Sequence, residues 1–342
     1  MAAPKLGDIA KRAGVSIAAA SIALNNPDTN RVSATKRAEI LRIAEELGYV
    51  PNELAKALTE RRTRLIGLMV PLKDPIFFNH FIAQVLGGIQ ATVMQRGYNL
   101  LIYSPTGKPG RFTRDQILES RFSDGLIFIN TRFCLTRDVA ETIRELDRAK
   151  INFTMVNSYY GRADVNYVGV DDPALGEAAA QYIAGRGHRH IAFLSGSSDL
   201  PTHIHLLKGL RKGLAEAGLE LTDRHIGCTG YDQARAYEIL DSWFAEKRAR
   251  PSVVFCGDDQ LLMHLYDYVE ARGLKIPDDL AVVGRGNIGV ISMLRPRPTS
   301  FTIPAFEAGK LSAEMLIDSI ERPETKKRRV LLPFTFYAGE TA

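Results

Sequence analysis

The residues with the clearest chemical potential lie in the first sixty positions. Ser16 precedes a run, IAAASIALN, in which Ile17, Ala18, Ser21 and Ile22 remain on the outward side of a helix once Val15, Ala20 and Leu24 are buried. A hydroxyl at 16 can cap a helix, and hydroxyls can also donate to phosphate oxygens. The aliphatic side chains can only meet a thymine methyl or exclude water from base edges. With no hydrogen-bonding side chain at 17, 18 or 22, this surface is predicted to read bases weakly and to lean toward T·A pairs. Farther on, Leu54 and Leu58 sit four apart in ELAKALTERRTR. That segment is too short to be a stable lone helix in water. Exposed leucines of this kind become ordered by wedging between base steps of a minor groove, where the bent duplex offsets the cost of unstacking.

The elements that position these residues follow from short-range signals. Leu6, Ile9, Ala10 and Ala13 recur at helical spacing, Gly14 supplies a left-handed turn, and the helix after Ser16 follows at once. Together they read as a helix-turn-helix, in which the N-terminal residues of the second helix reach base edges in the major groove. After the polar loop NPDTNR, Ser33 caps a third helix running to Leu47, with an apolar stripe at Ile40, Leu41, Ala44 and Leu47, and Gly48 ends it. Residues 1–64 carry 11 Lys and Arg against 7 Asp and Glu, so they hold +4 of the chain's net +5. A basic excess confined to one small module is the footprint of a phosphate-facing headpiece on a neutral body. From Leu65 onward the short apolar runs LIGLMVP, YNLLIYS, GLIFIN, INFTMVN, HIAFLS, SVVFCG and LAVVG alternate with helical patterns. Such runs are typical of buried parallel sheets, and about 275 residues of them imply two lobes with a cleft.

Several chemistries are excluded by context. Cys134, Cys228 and Cys256 are odd in number and lack C-x-x-C spacing, against a disulfide framework or zinc ribbon. Gly284-Arg285-Gly286-Asn287-Ile288-Gly289 fits a dinucleotide fingerprint, but Pro296 and Pro298 arrive where its helix should run, so no nucleotide cofactor is expected. The pairs His188/His190 and His203/His205 lack a third ligand, and no metal is expected. Lys326–Arg329 reads as a solvated loop before a strand VLLPFTF. No catalytic constellation stands out, so an enzyme is not expected. There is no export signal and no apolar run of membrane length, which places the chain in the cytoplasm without a membrane partner.

DIAKRAGVS, SxALN, VSATKRAEI, LGYVPNELAKAL, VDDPALG, GHRHIAFLSG, GLRKGLAEAGL, PSVVFCGDD and PDDLAVVG follow one another in an order and spacing that resemble the LacI family of transcription regulators over essentially the whole chain. The resemblance implies a helix-turn-helix headpiece at 1–50, a hinge helix and linker at 51–63, and a two-lobe α/β body at 64–342 of periplasmic-binding-protein type with parallel sheets. It implies a homodimer, double-stranded operator DNA as partner, and a small effector in the cleft that controls the hinge. By position, Ser16, Ser21, Asn25, Arg31, Ser33 and Asn52 match backbone-positioning residues, and Ala55 and Leu58 match the minor-groove pair. Ile17, Ala18 and Ile22 fall at base-reading positions, where many relatives have an arginine in place of Ile22.

In the cleft, Phe81, Asn157, Thr202, Tyr231 and Asp259 match wall or ligand positions, with Asp258 beside them. Two departures stand out: Leu206 replaces an arginine and Gly286 an aspartate, removing several hydrogen bonds to a neutral sugar. Two carboxylates at Asp258-Asp259 without that arginine suggest a cationic ligand instead. The function implied is a sequence-specific regulator, a repressor in the leading reading. A regulator controlled by a protein partner without any small effector, and a non-DNA ligand-binding protein, are the alternatives.

Overall fold

The computed structural model describes residues 4–25, 30–50, 62–70, 79–103, 114–130, 136–157, 161, 164–245, 250–287 and 289–342. The chain divides into two units, Met1–Thr63 and Arg64–Ala342.

In the first unit, helix α1 (Leu6–Ala13) opens with the Lys5 amide donating to Asp8 Oδ2 at 2.8 Å, and ends at Gly14, where φ is 64°. Only a residue without a Cβ adopts that turn at little cost. Helix α2 (Ile17–Asn25) is capped by Ser16, whose Oγ accepts from the Ala19 amide at 3.1 Å. Helix α3 (Ala34–Glu46) is capped by Ser33, whose Oγ accepts from the Lys36 amide at 3.4 Å. Their shared core is Ile9, Ala13, Ala23, Val32, Ile40, Ile43 and Ala44, with Ala20 also buried. Two expectations are corrected here. Leu41 is 46% exposed and Ile43 takes its place, because residues 40, 43, 44 and 47 share one helical face and 41 lies about 100° around from 40. Leu24 is only half-buried, the inner position being Ala23.

The second unit contains two sheets. In the first lobe β1 (Leu65–Met69), α4 (His80–Gln95), β2 (Asn99–Tyr103), α5 (Arg114–Glu119), β3 (Gly125–Ile129), α6 (Thr136–Arg148), β4 (Phe153–Val156) and β5 (Asn166–Val170) alternate. With β11 (Arg329–Leu332) their strands form a parallel sheet of order β11-β5-β4-β3-β1-β2. Helix α7 (Asp172–Gly185) leads to the second lobe, built of β6 (Ile191–Ser195), α8 (Pro201–Glu216), β7 (Ile226–Cys228), α9 (Gln233–Ala245), β8 (Val253–Cys256), α10 (Asp259–Ala271), β9 (Ala281–Gly286) and β10 (Thr299–Thr302). That sheet has order β12-β10-β9-β8-β6-β7, with β12 (Thr335–Tyr337) antiparallel on β10. Helix α11 (Ala305–Glu321) returns the chain to the first sheet. The chain thus passes between lobes three times, after β5, after β10 and after β11.

Strand alternation divides the core. Leu126, Phe128 and Met155 pack with Val139, Ile143 and Leu146 on one face of the first sheet. In the second sheet Ile191, Phe193, Phe255 and Val283 face Leu175, Ala179, Leu206 and Leu210 of α7 and α8, while Ala192, Leu194, Val254 and Val282 face Leu240, Leu261 and Leu265. The apolar runs expected as strands are strands. β5, β7 and β10 were not expected, being short and partly polar. VLLPFTF is two strands in different sheets, because Pro333 has no amide to continue a ladder. Arg329, expected in a loop, opens β11, with its guanidinium 5.0 Å over the Tyr167 ring.

Candidate nucleic-acid interface and effector site

On the headpiece, the cap at Ser16 fixes where α2 begins and so which side chains its first turn presents. Ile17 is 58% exposed and Ala18 is exposed. Ser21 and Ile22 are half-buried, and Ile22, expected to face outward, packs against the headpiece core. Asn25 Nδ2 donates to the Ser21 carbonyl at 3.0 Å and to Ser21 Oγ at 3.3 Å, so the two polar side chains of α2 are tied to each other. Arg31 and Ser33 are exposed at the start of α3. Asn52, Ala55 and Leu58 lie outside the described residues. Several basic groups carry acidic partners: Arg12 and Arg42 both reach Glu46, and Lys36 lies 2.8 Å from Glu39. Exposed pairs of this kind are worth about 0–1 kcal/mol, so phosphate can replace the carboxylate at little cost.

In the body, polar groups gather at the carboxyl ends of both sheets, the usual place for ligands in such folds. Asn157 follows β4 with φ 71°, its amide donating to the Val168 carbonyl at 2.9 Å and its Nδ2 to the Asn130 carbonyl at 3.0 Å. Half-buried Phe81 stands in the first turn of α4, which Asn79 caps by accepting from the Ile82 amide at 3.0 Å. In the second lobe, half-buried Thr202 lies in the first turn of α8. Tyr231 follows β7 with φ 65°, its ring filling the place beside Gly196.

Asp258 caps α10, accepting from the Gln260 amide at 2.9 Å, and Asp259 accepts from the Asn287 amide at 2.9 Å. Each carboxylate thus accepts a backbone amide within the lobe and keeps its negative charge. The departure at Gly286 also has a steric reason: a Cβ there would lie 2.4 Å from Asp259 Oδ2. An aspartate at 286 would bring a second carboxylate into that contact.

Leu206, at the expected arginine position, is fully buried in the core. A different arginine enters this lobe from β9. Arg285, 5% exposed, donates from Nη2 to Asp172 Oδ1 at 2.7 Å, and Asp172 is fully buried at the first residue of α7. Sequence reasoning missed this pair, although an arginine at the end of the apolar strand AVVG signals a buried acidic partner. Asn130 and Asn287 were also missed as members of the strand-end group.

His203 Nδ1 lies 4.0 Å from Cys228 Sγ, an arrangement that could suggest a nucleophile. Burial, helped by Arg211 and opposed by Asp199, lowers the imidazole pKa. Burial, helped by Asp199, raises the thiol pKa. Both shifts favour a neutral pair, the reverse of an activated thiolate. The ring of His203 instead packs 5.5 Å from that of Phe193. His188 meets Ser252 Oγ at 2.9 Å. After β9 comes only a short 3-10 turn, Gly289–Met293, where a dinucleotide fingerprint would need a helix. Among the described residues, no helix is long and apolar enough to cross a membrane.

Residues 5–52 match the model described as bacterial regulatory proteins, lacI family, and residues 180–342 match the periplasmic binding protein-like domain. Catabolite control protein A of Priestia megaterium is 26% identical over 329 residues, covering 95% of each chain. A transcriptional regulator CelR-cellobiose complex is 26% identical with a TM-score of 0.71, covering 99% of this chain and 100% of that one. The Lac repressor dimer bound to operator and the anti-inducer ONPF has a TM-score of 0.83 at 20% identity, covering 99% of both, and so shares the fold. A lacI-type headpiece followed by a periplasmic-binding-protein-like body is matched along nearly the full length of these relatives, and the chain belongs to the LacI family of transcriptional regulators.

Proposed function

We propose that this protein is a cytoplasmic, homodimeric repressor that binds operator DNA through residues 1–50 and takes a small effector between the lobes of residues 64–342. We assign residues 51–63 to the hinge, Asn52 to backbone contacts and Ala55 and Leu58 to the minor groove, on their match to the family pattern. The observation that carries this reading is the capped α2, whose first turn offers Ile17 and Ala18 to solvent, with Ser16, Arg31 and Ser33 of the same headpiece also exposed. Ser16, Ser21, Asn25, Arg31 and Ser33 position the backbone, and the exposed aliphatic surface meets bases. The Lac repressor dimer is seen on its operator and CelR with cellobiose, which supports a dimer on DNA and a ligand at the lobes here.

Phe81, Asn157, Thr202, Tyr231 and Asp259 line the effector site, with Asp258 holding the start of α10. Leu206 and Gly286 make the effector something other than a simple neutral sugar. The effector acts by binding one lobe arrangement better than the other, which shifts the hinge and with it DNA affinity. The full chain, mixed with sheared genomic DNA at near-physiological salt, is expected to retain fragments sharing a pseudo-palindrome with a flexible central step. Retained fragments without a common motif would refute the reading.

A further inference from the structure

We propose that the operator is read through pyrimidine C5-methyl groups in the major groove, so that thymine and 5-methylcytosine serve at the same positions while uracil and cytosine do not. The inference rests on the DNA-binding reading above and specifies its chemistry. Among the nine residues of α2 only Ser21 and Asn25 have polar side chains, and neither terminal turn carries an acidic or basic residue. Asn25 donates to Ser21 through both the carbonyl and Oγ. Ile22 is drawn toward the headpiece core, leaving Ile17, 58% exposed, and exposed Ala18 as the apolar surface at the N-terminal end of the helix.

Such a surface has a narrow repertoire. Each base pair shows hydrogen-bonding groups in the major groove, but only the C5-methyl of thymine offers an apolar contact among the four natural bases. Ile17 and Ala18 bury that methyl favourably. Against a cytosine or uracil that lacks the methyl they cover comparable polar edges without that apolar contact to offset the lost hydration, which penalises those pairs. Cytosine methylated at C5 carries the same methyl in the same place. Two side chains at adjacent positions span one or two base pairs, so the effect is confined to one short stretch of each half-site.

The test uses the full chain and an operator recovered by selection. Thymines are replaced singly by deoxyuridine, which removes the methyl and keeps every hydrogen-bonding group. One or two positions per half-site are expected to lose about fourfold in affinity for each methyl removed, whereas replacements in the flanks change nothing. At those positions cytosine is expected to bind worse than 5-methylcytosine by a similar factor. Ile17→Ala, an exposed and helix-compatible substitution, is expected to weaken binding and reduce the sensitivity to deoxyuridine at least at one position per half-site. Specific binding to an operator that tolerates complete thymine replacement within twofold overturns the proposal while leaving the DNA-binding reading intact. So does an Ile17→Ala variant that keeps the full sensitivity. Failure to recover any specific site overturns both.

Discussion

At 5% exposure Arg285 has little contact with water, and the Asp172 carboxylate 2.7 Å away makes its charge tolerable inside the second lobe. Asp172 in turn sits in the first turn of α7, where the helix dipole favours a negative group. Removing one partner strands the other. Arg285→Met is expected to destabilise the protein by about 3–5 kcal/mol, read from urea unfolding, and Asp172→Leu added to it is expected to recover most of the loss. A single variant within about 1 kcal/mol of the parent would show that the pair behaves as a surface contact. The difference from Ser16 and Ser33 is instructive. Each cap joins residues three apart, so its partner is implied by the local pattern, whereas Asp172 and Arg285 are 113 positions apart and meet only through the sheet order. The same limit applies to Ile22, whose side chain is shared between α2 and the core by a helix crossing that spacing alone does not specify.

Helices α7 and α8 approach each other through their glycines. A Cβ on Gly209 would lie 2.0 Å from the Pro173 carbonyl oxygen, and one on Gly176 would lie 2.3 Å from that of Leu206. Both obstacles are backbone, so no side-chain rotation relieves them. Gly209→Ala is expected to cost about 3 kcal/mol, the upper part of the range for overpacking. Gly185→Ala, in the last turn of α7 with nothing within 4 Å, serves as the control and is expected to be neutral or slightly stabilising. Equal unfolding midpoints for the two variants would contradict this close packing. Among elements, β1, β3, β4, β6, β8 and β9 were legible because they are continuous apolar runs buried on both faces. β5, β7 and β10 carry polar or small residues and gain their place from neighbouring strands. The break at Pro333 was present in the sequence as a missing amide, but which sheet each half joins depends on the third passage between lobes.

The whole molecule joins a basic module, +4 over residues 1–64, to a body that carries only +1. This asymmetry supplies general attraction to DNA, the proposed contacts of Ile17 and Ala18 would add part of the selectivity, and the two contributions respond differently to salt and sequence. The family was legible from motif order, since its signatures run from the headpiece through β9. The effector was not, because the proposed lining residues match the family pattern while Leu206 and Gly286 depart from it, and such a mixture points to no one ligand. The most direct measurement is the affinity of the full chain for its recovered operator and for a scrambled duplex of equal length, at near-physiological salt and at several lower salts. A preference of at least about a thousandfold for the operator is expected, with binding to the scrambled duplex strengthening steeply as salt is lowered. Equal affinities that rise and fall together with salt would contradict the central claim, leaving the headpiece as a basic patch without specific readout.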